Sequence, residues 1–179
     1  MGSMAKAVVN KKKPVIRFEA VKIDPLFEVL DAIAWMDSPA TNGIAQYANI
    51  DPRTAGKILK NAMLVGLVQS ADDSSYALAQ AYPYKGNAEE KRKVVREALL
   101  RHPLIRSIRQ FMALGDNLQN AMRKAATIAG EKNYDKAAIA PLVGWAHSVG
   151  QVLDLGVRVE VLVNEAVVAK EVRHAEHKA

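Results

Sequence analysis

Apolar residues recur at helical spacing through Phe27, Leu30, Ile33 and Ala34, and again through Ala55, Ile58, Leu59, Ala62 and Leu64. The polar positions between them cut this part of the chain into short elements. Asp24-Pro25 offers an N-cap and a first-turn proline to a helix that ends near Asp37-Ser38-Pro39. Thr41 or Asn42 caps a second short helix, GIAQYAN. Asp51-Pro52 repeats the cap-and-proline signal for a third, and Gly66 is placed to end it in a left-handed turn. LVQSADDSSYALA then reads as strand, polar turn and strand, with Ala71 to Ser75 as the tip. Ahead of the first helix, PVIRFEAVKI (residues 14–23) alternates in the manner of a short strand.

From residue 86 the pattern is helical again. NAEEKRKVVREALLRHP runs from an Asn87 cap to Pro103, with early glutamates that suit the positive end of a helix dipole. LIRSIRQFMAL predicts a second helix, and LGDNLQNAMRKAATIAG a third, capped by Asp116 and stopped by Gly130. After a turn at residues 131–134, DKAAIAPLVGWAHSVGQVL predicts a helix interrupted by Pro141. An interior proline costs about 3 kcal/mol, so a kink or a start later than Asp135 is expected. GVRVEVLV alternates as a strand, and residues 164–179 read as a terminal helix or tail.

The stretch from Asp135 repeats one met earlier. Superposing it on the stretch from Asp51 brings Leu142 onto Ile58, Val143 onto Leu59 and Ala146 onto Ala62. Val149 and Gly150 fall on Val65 and Gly66, and Val152 on Val68. One structural device used twice explains the register. The alternative is that any two amphipathic helices ending in Gly align this well.

The stretch AQYANIDPRTAGKILKNAMLVGLVQ resembles the core of the winged-helix family, in which a helix-turn-helix is followed by a GLV-type entry into the wing. The resemblance covers residues 25–80. It implies a mainly α fold with small β wings, and the repeat extends this to two tandem winged-helix units, the second with a degenerate wing. The division expected is a scar (Met1 to Met4) with a flexible basic arm over 1–13, a strand and winged helix over 14–80, a second winged-helix-like unit over 81–163, and a tail.

Half of the residues are apolar and a quarter charged, an ordinary globular composition. No apolar run approaches the roughly 20 residues of a membrane helix. The absence of Cys removes thiolate metal sites and fits a reducing cytoplasm. Enzyme signatures are missing: there is no GxGxxG, GxxxxGK[ST] or HExxH, and no cofactor is implied. His174 and His177 form an HxxH within a charged tail, and His102 suits a helix C-terminus as a cation. A ligand pocket around Tyr134, Trp145 and His147 is the weakest of the functional readings.

Charge is more informative. The net charge is +6, yet residues 25–80 carry only three Lys or Arg against six Asp or Glu, whereas residues 81–133 carry eleven against five. On the third helix Arg53, Thr54, Lys57, Lys60 and Asn61 occupy the polar positions. Arg and Asn are the residue types that read guanine and adenine, while Lys and Thr hold phosphate. Lys11, Lys12 and Lys13 form an arm able to follow a backbone, and Lys91, Arg92 and Arg96 a cluster on one helix. These point to a non-catalytic protein that binds double-stranded DNA as a homodimer, of the kind found in prokaryotic transcriptional regulators or chromatin-type factors. Asp72 and Asp73 at the wing tip would repel a phosphate backbone, which favours the alternative of a docking module for an acidic protein partner in a larger complex.

Overall fold

A computed structural model describes residues 17–131, 134–150 and 152–153. Among these residues it contains seven helices and one two-stranded antiparallel sheet. The predicted strand over 156–163, the tail and the arm with Lys11, Lys12 and Lys13 lie outside the described residues.

Helices α1 (Leu26–Trp35), α2 (Thr41–Ala48) and α3 (Pro52–Leu64) pack on one another, and the hairpin β1 (Val68–Ser70) and β2 (Tyr76–Leu78) follows. Leu26, Val29, Leu30, Ile44, Ile58 and Leu59 form the shared interior, each at most 1% exposed. A side chain of this size is worth about 1.5–3 kcal/mol when fully buried. Asp51 caps α3 as its sequence predicts, accepting from the Thr54 N–H at 2.9 Å. Two expected caps are absent. Asp24 is exposed and the chain enters α1 through a turn closed by Leu26 N–H to the Ile23 carbonyl; Thr41 is the first residue of α2 and Ala40 its cap. The β-hairpin pairs Val68 with Leu78, Gln69 with Ala77 and Ser70 with Tyr76, and a single 3-10 turn, Asp72–Ser74, forms its tip.

Helix α4 (Ala88–Arg101) opens with a reciprocal capping box between Asn87 and Glu90. It runs directly into α5 (Pro103–Ala113), which packs closely on α6 (Leu118–Ile128). Asn117, not Asp116, caps α6; Asp116 instead pairs with Lys124 at 2.7 Å. His102 stands at the C-terminus of α4 as expected, but not in the cationic role. It joins α4 to α5, and its Nδ1 accepts the Leu104 N–H at 3.3 Å, so it is a neutral cap and not a cation on a dipole.

Helix α7 (Lys136–Val149) starts immediately after its Asp135 cap and continues through Pro141, without the later start that proline suggested. The proline supplies no N–H to the turn before it. In that same turn the Ala138 carbonyl accepts the N–H of Phe18, 2.9 Å away. One contiguous core runs from Phe18 through all seven helices to Leu153.

The internal repeat has matching geometry in both copies. Asp51 and Asp135 each cap their helix, and Gly66 and Gly150 each follow it at positive φ, 78° and 72°. Ile58 and Leu142, Leu59 and Val143, Ala62 and Ala146, Val65 and Val149, and Val68 and Val152 are all buried. The segment 17–23, the described part of the strand expected over 14–23, pairs with no strand among the described residues. It is an extended strap held by side chains and helix carbonyls.

Candidate nucleic-acid interface

Helix α3 places Arg53, Lys57 and Lys60 on one side, because residues separated by four and then three share a face. Arg53 and Lys60 are exposed and Lys57 is half-buried. No acidic residue interrupts the helix after its cap, and Gly56 leaves open space among these cations. Thr54 is also on α3, but its hydroxyl is hydrogen-bonded to Asp51 Oδ2 at 2.5 Å, and that bond holds the Asp51 carboxyl below its ordinary pKa.

Asn61 is not on this surface, contrary to the expectation that it faces a base. It is 1% exposed. Its Oδ1 accepts the Glu19 N–H at 2.8 Å and its Nδ2 donates to the Glu19 carbonyl at 2.9 Å. A buried amide keeps such partners because leaving them unmade is costly. The residue that superposes on Asn61 in the repeat is Trp145, which is 2% exposed and donates its Nε1–H to the Val21 carbonyl at 2.8 Å. The two equivalent positions of the repeat therefore grip the same strap two residues apart. Trp145 is a core residue and presents no open ring to a ligand.

The strap carries Glu19 to the edge of the α3 face. Its Oε1 lies 2.7 Å from Lys60 Nζ. That hydrogen bond and the Lys60 charge, with smaller contributions from Lys57 and Arg17, hold the Glu19 carboxyl below its ordinary pKa. Arg17 itself pairs with Asp135, the cap of α7.

Within the α4 cluster Lys91 and Arg96 are half-buried and engaged with other elements, while Arg92 is exposed and also hydrogen-bonded. Lys91 pairs with Asp31 of α1 at 3.0 Å, with only 17% and 18% of the two side chains exposed. Arg92 donates to the Ser148 carbonyl at 2.8 Å, and Arg96 donates through Nε to the Gly150 carbonyl at 3.1 Å. The last carbonyls of a helix lack internal partners and lie at its negative end, so two guanidinium groups satisfy the end of α7. Spacing along α4 gave no sign of this, since the acceptors are more than fifty residues away. Exposed cations remain on α5, where Arg106 and Arg109 stand three residues apart. The hairpin tip presents Asp72 to solvent.

A second surface went unnoticed in the sequence. Trp35 and Tyr47 are 65% and 43% exposed, and Trp35 packs against Tyr84 with ring centroids 6.1 Å apart. These aromatic residues come from α1, α2 and the linker to α4, so no local periodicity joins them. Among the described residues no group of three or more His, Asp or Glu could hold a metal ion, and no helix is long and apolar enough to cross a membrane.

Compared with known proteins, the chain matches no family model, no curated protein and no solved structure.

Proposed function

We propose that this chain is a duplex-DNA-binding protein in which α1–α3 and the β-hairpin form a winged helix and α3 is the recognition helix. The observation that carries the reading is the row of exposed Arg53 and Lys60 with half-buried Lys57 on one face, with no carboxylate on α3 beyond its cap. Arg53 lies at the N-terminal end, the part of a recognition helix that meets base edges. The protein acts as a homodimer in gene regulation. With Asn61 removed from the contact set, Arg53 supplies base recognition and the two lysines hold phosphate. Two such phosphate contacts give an affinity that falls about 12-fold between 50 and 200 mM salt.

Anisotropy of a labelled random-sequence duplex, titrated at several salt concentrations, tests this directly. Arg53→Glu with Lys57→Glu should abolish binding, and retained affinity would refute the assignment. A second reading draws on Asp72 at the hairpin tip and on the bonds that already engage Lys91, Arg92 and Arg96. Both lessen the attraction for a backbone and suit a module that docks protein. A stoichiometric protein partner, with no duplex binding at low salt, would support it.

A further inference from the structure

We infer that Glu19 is a built-in anion that occupies a phosphate position on the α3 face and limits how tightly that face holds a polyanion; this rests on the DNA-binding reading above. The carboxylate stands 2.7 Å from Lys60 and within electrostatic reach of Lys57 and Arg17. A phosphate oxygen approaching Lys60 meets an ammonium group whose charge Glu19 Oε1 already neutralises, and is repelled by that carboxylate.

The placement is fixed by the fold. Both backbone polar groups of Glu19 are bound by Asn61 at 2.8 and 2.9 Å. On either side, Phe18 is 3% exposed with its N–H on the Ala138 carbonyl, and the Val21 carbonyl accepts from Trp145. Buried groups from both copies of the repeat thus deliver one carboxylate to one lysine. The carboxylate itself is free to leave, since the Glu19 and Lys60 side chains are 33% and 48% exposed. Exposed pairs of this kind are weak and screened by salt. A polyphosphate can displace the Glu19 side chain by rotation alone, with the strap backbone still held by Asn61.

Glu19→Gln tests the inference in the full chain. It removes the charge, leaves the backbone bonds to Asn61 in place and releases Lys60. Binding of a labelled random-sequence duplex should tighten about threefold or more at 50 mM salt. The slope of log affinity against log salt should steepen, by at most about one, because Lys60 no longer exchanges a carboxylate for a phosphate. Lys60→Gln should weaken binding, and the gain from Glu19→Gln should shrink in the Lys60→Gln background. Duplex binding by Glu19→Gln where the wild type shows none would support the inference in its strongest form. An affinity and slope equal to wild type, or an undiminished gain without Lys60, would overturn the role of Glu19 while leaving the DNA-binding reading intact. No binding by either protein at low salt would overturn both.

Discussion

Replacing Asn61 by Ala separates a structural role from a DNA-reading one, because the two predict opposite observables. The substitution removes two hydrogen bonds, of 2.8 and 2.9 Å, and leaves the Glu19 N–H and C=O without their partners. Each bond contributes about 0.5–1.5 kcal/mol net, and an orphaned buried group costs about 1–3 kcal/mol. The Glu19 end is only part-buried, so water recovers some of that loss. A cost of about 2–4 kcal/mol follows. With a urea dependence of about 2 kcal/mol per M for a chain of this size, the midpoint should fall by about 1–2 M. Trp145 provides the signal, since its indole N–H is bound to the same strap while its ring is 2% exposed. Under conditions where the variant remains folded, its duplex affinity should match wild type. A midpoint within about 0.25 M of wild type, combined with lost duplex affinity, would refute the strap argument and return Asn61 to the recognition surface.

Arg96→Ala should cost about 1–2 kcal/mol in chemical denaturation, because the guanidinium is 18% exposed and satisfies the carbonyls at the end of α7; an unchanged stability would show that water caps that end equally well. Gly66→Ala should lose about 1 kcal/mol by the same assay. Nothing lies within 4 Å of the added Cβ, so strain at φ 78° is the sole source, and a neutral result would contradict the left-handed turn. Stability should also decline in acid through His102. Burial lowers its folded pKa, outweighing a hydrogen bond to the Leu64 backbone. The unfolded state therefore takes up its proton first as pH falls through the ordinary histidine value near 6.5, and stability drops from there down to the folded pKa. Comparing the pH dependence of unfolding for wild type and His102→Gln checks this: the variant should lack that part of the slope.

What the sequence conveyed was local. Asp51-Pro52, the Asn87 cap, and the glycines after α3 and α7 act within a turn of their own position, and each formed as read. The segment 17–23 misled for a definable reason. Phe18 and Ile23 are buried and Arg17, Ala20 and Lys22 exposed, an extended segment lying on a core, but among the described residues its backbone partners are Asn61, Trp145 and a helix carbonyl and not a neighbouring strand. Apolar patterning reports which side faces inward and is silent on who supplies the hydrogen bonds. The same limit applied to α4. Lys91, Arg92 and Arg96 looked like one basic surface because their acceptors, Asp31 and the end of α7, are remote in sequence. The repeat contained one usable clue: it superposes a polar Asn61 on an aromatic Trp145 within otherwise matched apolar positions, and a polar residue in a core register signals a buried partner.

The strap also explains why the two related helices belong to one interior. Asn61 and Trp145 hold carbonyls two residues apart, so α3 and α7 cannot separate without breaking bonds to a common segment. Arg17 adds a third tie by pairing with the cap of α7 while its charge acts on Glu19 beside α3. The first described residues of the chain therefore lie next to the Lys57 and Lys60 row. A repeat that merely duplicated a recognition helix would preserve the cations of α3 in α7; here Arg53, Lys57 and Lys60 superpose on Ala137, Pro141 and Gly144. What the two copies share is the cap, the apolar face, the terminal glycine and the grip on the strap. What is duplicated is structural support, and the charge that distinguishes α3 is the feature on which the proposed duplex binding rests.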